Sequence, residues 1–146
     1  MAHPERLYAM VLFAAAFAVL SVAIAMHGWL PAGHGPGTAV FFVVFALFTI
    51  AMGFEHPRAG YVSFDRIAQV ASILILGPVA AAWLNGLASL LYPWHRLRRG
   101  RPLQEVLTAS LHNSGLMSLM VLGTGLVYQQ LGGPVPLSSL GMAELA

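Results

Sequence analysis

Apolar positions in this chain come in long runs, and the polar residues that interrupt them are bunched rather than spaced by a helical or strand rhythm. Four stretches carry no Asp, Glu, Lys or Arg: Leu7 to Met26 (20 residues), Thr38 to Phe54 (17), Ile67 to Pro93 (27) and Val106 to Leu131 (26). A helix that crosses the ~30 Å hydrocarbon of a bilayer needs about 20 apolar residues, within a range of roughly 17–25. The first two stretches therefore each predict one crossing. Tyr8 and Trp29 bracket the first, and Tyr92 with Trp94 closes the third, as aromatic belts do at membrane–water boundaries. Turn chemistry makes loops of PAGHGPG (31–37) and EHPRAG (55–60). The pattern predicts an all-α integral membrane protein, a helical bundle with residues 1–146 as one polytopic membrane domain.

Composition makes the lipid bilayer the solvent. Hydrophobic residues are 58% of the 146 and charged residues 8%, against roughly 25% charged in a soluble domain. Mean hydropathy is +0.77. A net charge of +2, carried by seven arginines and no lysine, gives no reason to expect a nucleic-acid partner. With no cysteine there is no disulfide framework, thiolate nucleophile or cysteine metal site.

The first segment has a rival reading. Arg6, a long apolar core and Ala23-Ile24-Ala25 imitate a signal peptide, but the apolar core exceeds the usual 7–15 residues. A retained helix is the expectation. Ala14, Ala18, Ser21 and Ala25 fall at spacings of 4, 3 and 4, a small-residue stripe expected to face another helix.

The third segment raises a topological question, because Gly77-Pro78 interrupts it and HRLRRGR follows it. If Ile67 to Pro93 were one kinked crossing, Arg6, Arg58 and Arg66 would lie on one side of the membrane. Arg96, Arg98, Arg99 and Arg101 would lie on the other, which breaks the positive-inside rule in either orientation. A re-entrant helical hairpin with its tip at Gly77-Pro78 puts all seven on one face, and loops 27–37 and 132–146 carry no basic residue. Its arms, Ile67 to Leu76 and Val79 to Pro93, would reach about 15 and 22 Å at 1.5 Å per residue, too short for comfortable crossings. Proline removes an amide donor and glycine supplies the backbone freedom to reverse. An ordinary Gly-Pro-broken, kinked helix is the alternative. Arg96, Arg98, Arg99 and Arg101 read as a topology signal that also touches anionic lipid.

Candidate chemistry is sparse. There is no P-loop, dinucleotide fingerprint, zinc-protease motif or nucleophile elbow, and the five acids lie at span ends or in loops. The chain is expected to have no enzymatic activity and no cofactor. His112 is the one ionisable group well inside a span, in SLHNSGLMS, with Asn113 beside it and Ser110, Ser114 and Ser118 on a neighbouring stripe. An intramembrane histidine is a functional candidate by default; the structural alternative is that these groups bond across helices and hold the bundle together. Asn85 is the matching polar group on the hairpin's return arm. A non-helical tip is tolerated at membrane depth only inside protein or beside a wet cavity. A small-molecule pocket near Gly77 and Pro78, lined by Asn85, His112 and Asn113, is therefore the candidate site. His27 and His34 share a loop but lack a third ligand, so no metal is assigned.

GYVSFDRIAQVASILILGPVAAAWLNGLASLL, followed by LHNSGLMSLMVLGTGLVYQQLGG, resembles the N-terminal membrane region of bacterial HD-GYP or GGDEF signalling proteins. It is more distantly similar to the S components of energy-coupling-factor transporters. The likeness runs from Gly60 to Gly133. It departs from the S components, which usually have glycine where this chain has Ala81 and Asn85, and which carry more spans. The signalling proteins continue into further helices and a catalytic domain, whereas this chain ends at GMAELA, which looks like the start of another helix. The resemblance implies a multi-pass protein of the bacterial inner membrane acting as a sensory-input or ligand-binding module, and the arginine distribution places the N-terminus in the cytoplasm. It carries over no catalytic residue. The alternatives are a transport subunit for a vitamin-like solute and a structural subunit of a membrane complex, with a protein partner or a second copy of the chain.

Overall fold

The computed structural model describes residues 3–31, 33–56, 60–135 and 137. Four α-helices follow one another: α1 (His3–His27), α2 (Pro36–Ala51), α3 (Asp65–Leu91) and α4 (Leu103–Gln130). A short antiparallel ribbon, β1 (Phe54–His56) with β2 (Gly60–Val62), joins α2 to α3, and a 3-10 segment (Tyr92–Arg99) joins α3 to α4. Each predicted span is a helix, and its ends fall within a few residues of the ends of the uncharged run. Proline at 36 opens α2, where its missing amide would have had no helical partner. The chain is an all-α bundle and a multi-pass membrane protein; α1, α4 and the stretch from Asp65 to Arg99 are long and apolar enough to cross a membrane, and α2 is shorter.

The stretch from Asp65 to Arg99 does not run straight. Gly77 has φ 81° and ψ 168°, extended backbone in a region that only glycine enters without strain, and among the described residues no non-glycine has positive φ. The chain turns back on itself there. Asn85 Nδ2 donates to Ser72 Oγ at 2.8 Å although 13 residues separate them, a distance of about 20 Å along a continuous helix. Ala68 and Ala88 meet in one cluster with Ala46 of α2. These pairings centre on residue 78, so α3 is a helical hairpin with a first arm (65–76) and a return arm (78–91). A proline kink would have bent the axis without bringing residues 68 and 88 together.

The hairpin is the middle of the bundle. Two-thirds of its most apolar window is buried, against 17% for α1. Small side chains bring its neighbours close: a Cβ on Gly125 of α4 would sit 2.8 Å from Pro78 Cβ, and one on Gly86 would collide with Ser118. Helix α4 runs antiparallel to the return arm and parallel to α1. Arg6 bonds to Gln104, Tyr8 faces His112, Gly115 meets the backbone of Leu12 and Phe13, and Leu20 packs with Val121 and Leu122. Helix α2 covers the other side through Ala39 and Phe42 against Leu76, Ala80 and Leu84.

Two expectations change. Ala14, Ala18, Ser21 and Ala25 are all exposed on the outer side of α1; its buried positions are Ala9, Ala16 and Leu20. The close approach to α4 is made instead by Gly115 on the facing helix, so small residues on α1 itself are not needed there. The loop read at 55–60 contains the ends of the two-stranded ribbon, and Phe54 and Phe64 flank it with ring centroids 6.2 Å apart. Arg58 lies outside the described residues.

Candidate functional site

The two ends of the hairpin differ in chemistry. At the tip, Gly77 and Pro78 line a cavity of about 220 Å³ together with His27, Trp29, Leu126 and Gln129. Asn85, His112 and Asn113 do not reach it. Asn85 is buried two turns down the return arm, where its amide donates to Ser72 Oγ and to the Ala81 carbonyl, both at 2.8 Å, while Ser72 donates to the Gln69 carbonyl. That chain of bonds ties one arm to the other. It uses both amide hydrogens of Asn85, which makes this residue a latch of the hairpin.

His112 and Asn113 sit at the opposite end. The face of α4 turned to the hairpin is the serine stripe Ser110, Ser114 and Ser118, all buried, with Ser118 donating to the Ala82 carbonyl at 3.3 Å. His112 is off that stripe and meets Tyr8 of α1, ring centroids 5.8 Å apart. Asn113 is exposed, 3.4 Å from the His112 ring. The tip is thus separated from His112 and Asn113 by the packed length of the return arm.

A second and larger cavity, about 420 Å³, lies at the base of the hairpin, within the ~300–1,000 Å³ typical of small-ligand sites. Ser63 enters it from just before the first arm and Asp65 from its start, Ser89 from the return arm, Tyr92, His95 and Arg96 from the 3-10 segment, and Asn113, Leu116 and Met117 from α4. A neighbouring recess of about 380 Å³ is lined by Glu5, Tyr8, Thr108 and His112, and it shares Arg96 and Asn113 with the first. Arg96 and Asn113 therefore lie between two polar hollows.

Local structure places these groups. Gly100, at φ 76°, ends the 3-10 segment, and the Arg101 amide donates to the Arg96 carbonyl at 3.2 Å. The His95 Nδ1–H donates to the Tyr92 carbonyl at 2.7 Å, which leaves Nε2 for other partners. Arg96 is half-buried whereas Arg98, Arg99 and Arg101 are exposed, so one arginine of the run turns inward. Among the described residues the ion pair is Arg101 with Glu105 at 3.7 Å, and no carboxylate pairs with Arg96. Asp65 accepts from Gln69 at 2.9 Å, and Gln69 in turn accepts from Arg66. The pocket thus holds an unpaired guanidinium and a carboxylate in one cavity, with hydroxyl and amide groups and the apolar side chains of Ile50, Leu116 and Met117 in the same lining.

Sequence alone presents Arg96 as a topology signal, and it gives no prominence to Asp65, Ser63 or Ser89. The available signal is weak: Tyr92 and Arg96 are four apart. No group of three side chains able to hold a metal occurs among the described residues. No family model, curated protein or solved structure matches the chain.

Proposed function

We propose that this protein is a ligand-binding module of the bacterial cytoplasmic membrane, of the sensory-input type and without catalytic activity of its own, and that its ligand occupies the basal pocket. The observation that carries this reading is Arg96, turned into a cavity of about 420 Å³ with no carboxylate partner among the described residues. An unpaired guanidinium can bind an anionic group through two parallel hydrogen bonds. The arginine-rich end, with Arg6, Arg66 and Arg96 to Arg101, is the base of the hairpin, and the tip end (27–31, 76–80 and 126–135) has no lysine or arginine. The positive-inside rule then makes the base cytoplasmic, and with it the N-terminus. A ligand bound there reports to a cytoplasmic partner.

The test is thermal unfolding of the detergent-purified chain across a panel of vitamins, metabolites and lipids, for the wild type and for Arg96→Gln. At least one anionic or zwitterionic compound is expected to raise the wild-type Tm, with a smaller shift in the variant. A panel in which every shift is the same in both proteins would end this reading.

One observation favours a second reading, the transport subunit. Cavities lie at both ends of the hairpin, about 220 Å³ at the tip and about 420 Å³ at the base, as a solute pathway interrupted by the Ser72–Asn85 latch would require. Uptake of the stabilising compound into proteoliposomes separates the two: a sensor binds it without moving it.

A further inference from the structure

The basal pocket offers two opposite charges that do not neutralise each other. Arg96 and Asp65 line the same cavity, yet they form no ion pair. A partly buried charge that lacks a partner leaves hydrogen-bonding capacity open to a ligand. Asp65 is engaged by Gln69 at the head of the first arm, and the turn at Gly100 fixes the backbone of Arg96 while its guanidinium stays without a carboxylate partner among the described residues. Ile50, Leu116 and Met117 give the cavity an apolar side, and Leu116 is 41% exposed.

We propose that the basal pocket takes a zwitterionic phosphate–amine group, with the phosphate on Arg96 and the primary ammonium on Asp65. The assignment rests on the reading of this pocket as the ligand site and names the class of compound it selects. Arginine matches two phosphate oxygens at once, and His95, Tyr92 and Ser89 add further polar groups around them. Asp65 has carboxylate lone pairs beyond the one used by Gln69, which suits an ammonium carrying three hydrogens and disfavours a trimethylated one that has none to donate. The same head occurs on an aminoalcohol phospholipid, whose chains would leave past Leu116, and on a free phosphoamine in the cytoplasm.

The experiment measures Tm against concentration for the detergent-purified protein with four probes: dioctanoyl phosphatidylethanolamine, phosphatidylcholine and phosphatidylglycerol, and soluble O-phosphoethanolamine. For the wild type, phosphatidylethanolamine is expected to act at about tenfold lower concentration than either other lipid, one charge-assisted hydrogen bond being worth roughly that factor. Arg96→Gln should weaken it by about tenfold or more, and Arg96→Lys should recover part of the loss. Asp65→Asn keeps an acceptor for Gln69, and in it the preference over phosphatidylcholine should shrink to about twofold or less. If O-phosphoethanolamine reaches the same plateau, the natural source is a soluble phosphoamine; if only the lipid acts, it is the bilayer. Equal responses to all three lipids, or a preference that survives both substitutions, would overturn the proposal. Some other compound that stabilises in an Arg96-dependent way would leave the basal pocket a ligand site while removing this ligand class. Far-ultraviolet circular dichroism and the ligand-free Tm of each variant establish that it is folded.

Discussion

Asn85 shows how one side chain decides the course of a helix that composition alone leaves ambiguous. Buried in the bundle, its amide has no water to turn to, so its two hydrogens need protein acceptors. Ser72 Oγ and the Ala81 carbonyl supply them at 2.8 Å, and the Ser72 contact exists only when the chain has reversed. Interhelical hydrogen bonds of this kind contribute about 0.6 kcal/mol on average in membrane bundles, with a maximum near ~1.7. A double-mutant cycle on Ser72→Ala and Asn85→Ala, read by denaturant or thermal unfolding in detergent, should therefore give a coupling of about 0.5–1.5 kcal/mol. In a straight helix residues 72 and 85 would be too far apart to couple, and strict additivity would refute the hairpin. His112 illustrates the opposite case. Its place inside an apolar run makes it conspicuous, but the fold sets it against Tyr8 rather than near the tip.

At the scale of elements, the hairpin turns on Gly77. Its φ is 81°, and a Cβ added there would meet nothing within 4 Å, so the demand for glycine comes from the backbone alone. Gly77→Ala should then cost about 1–3 kcal/mol through strain at a left-handed position. Gly123→Ala serves as the control: it lies in α4 with ordinary φ and open space around it, and it should be neutral or slightly stabilising. Equal effects in the two variants would mean that the reversal does not depend on Gly77. The hairpin is legible in the sequence because arginine distribution and arm length both oppose a single crossing, and these are properties of composition and count. The four helices are legible for the same reason. The outward turn of the Ala14–Ala25 stripe is not, because small residues allow close packing without requiring it, and Gly115 and Gly125 meet that need on α4. Nor is the basal pocket, which gathers residues 63, 65, 89, 92, 95, 96 and 113 from four stretches of chain. Only the reversal at Gly77 brings 65 and 89 to the same level.

The whole molecule is polarised, with its arginines and larger polar hollows at one end and the hairpin tip, the α1–α2 connection and the end of α4 at the other. This arrangement gives α3 an even number of passes in and out, so the segments on either side of it share a face. Helices α1 and α4 run parallel, as that count requires: one leaves the basal end at Arg6, the other at Gln104, and these two side chains bond at 2.6 Å. The chain has no native cysteine, so single cysteines report topology without background. Phe64→Cys and Leu103→Cys lie just before and just after the hairpin unit, at exposed positions of the basal end, and Leu131→Cys lies at the exposed end of α4. In intact cells an impermeant thiol reagent should label Leu131→Cys and spare the other two, and both of those should become reactive once the membrane is permeabilised. If Phe64→Cys and Leu103→Cys label on opposite faces, α3 crosses the bilayer and the reversal at Gly77 is wrong. If both label in intact cells while Leu131→Cys does not, the hairpin stands, but the arginine-rich end faces outward and the ligand of the basal pocket must come from outside the cell.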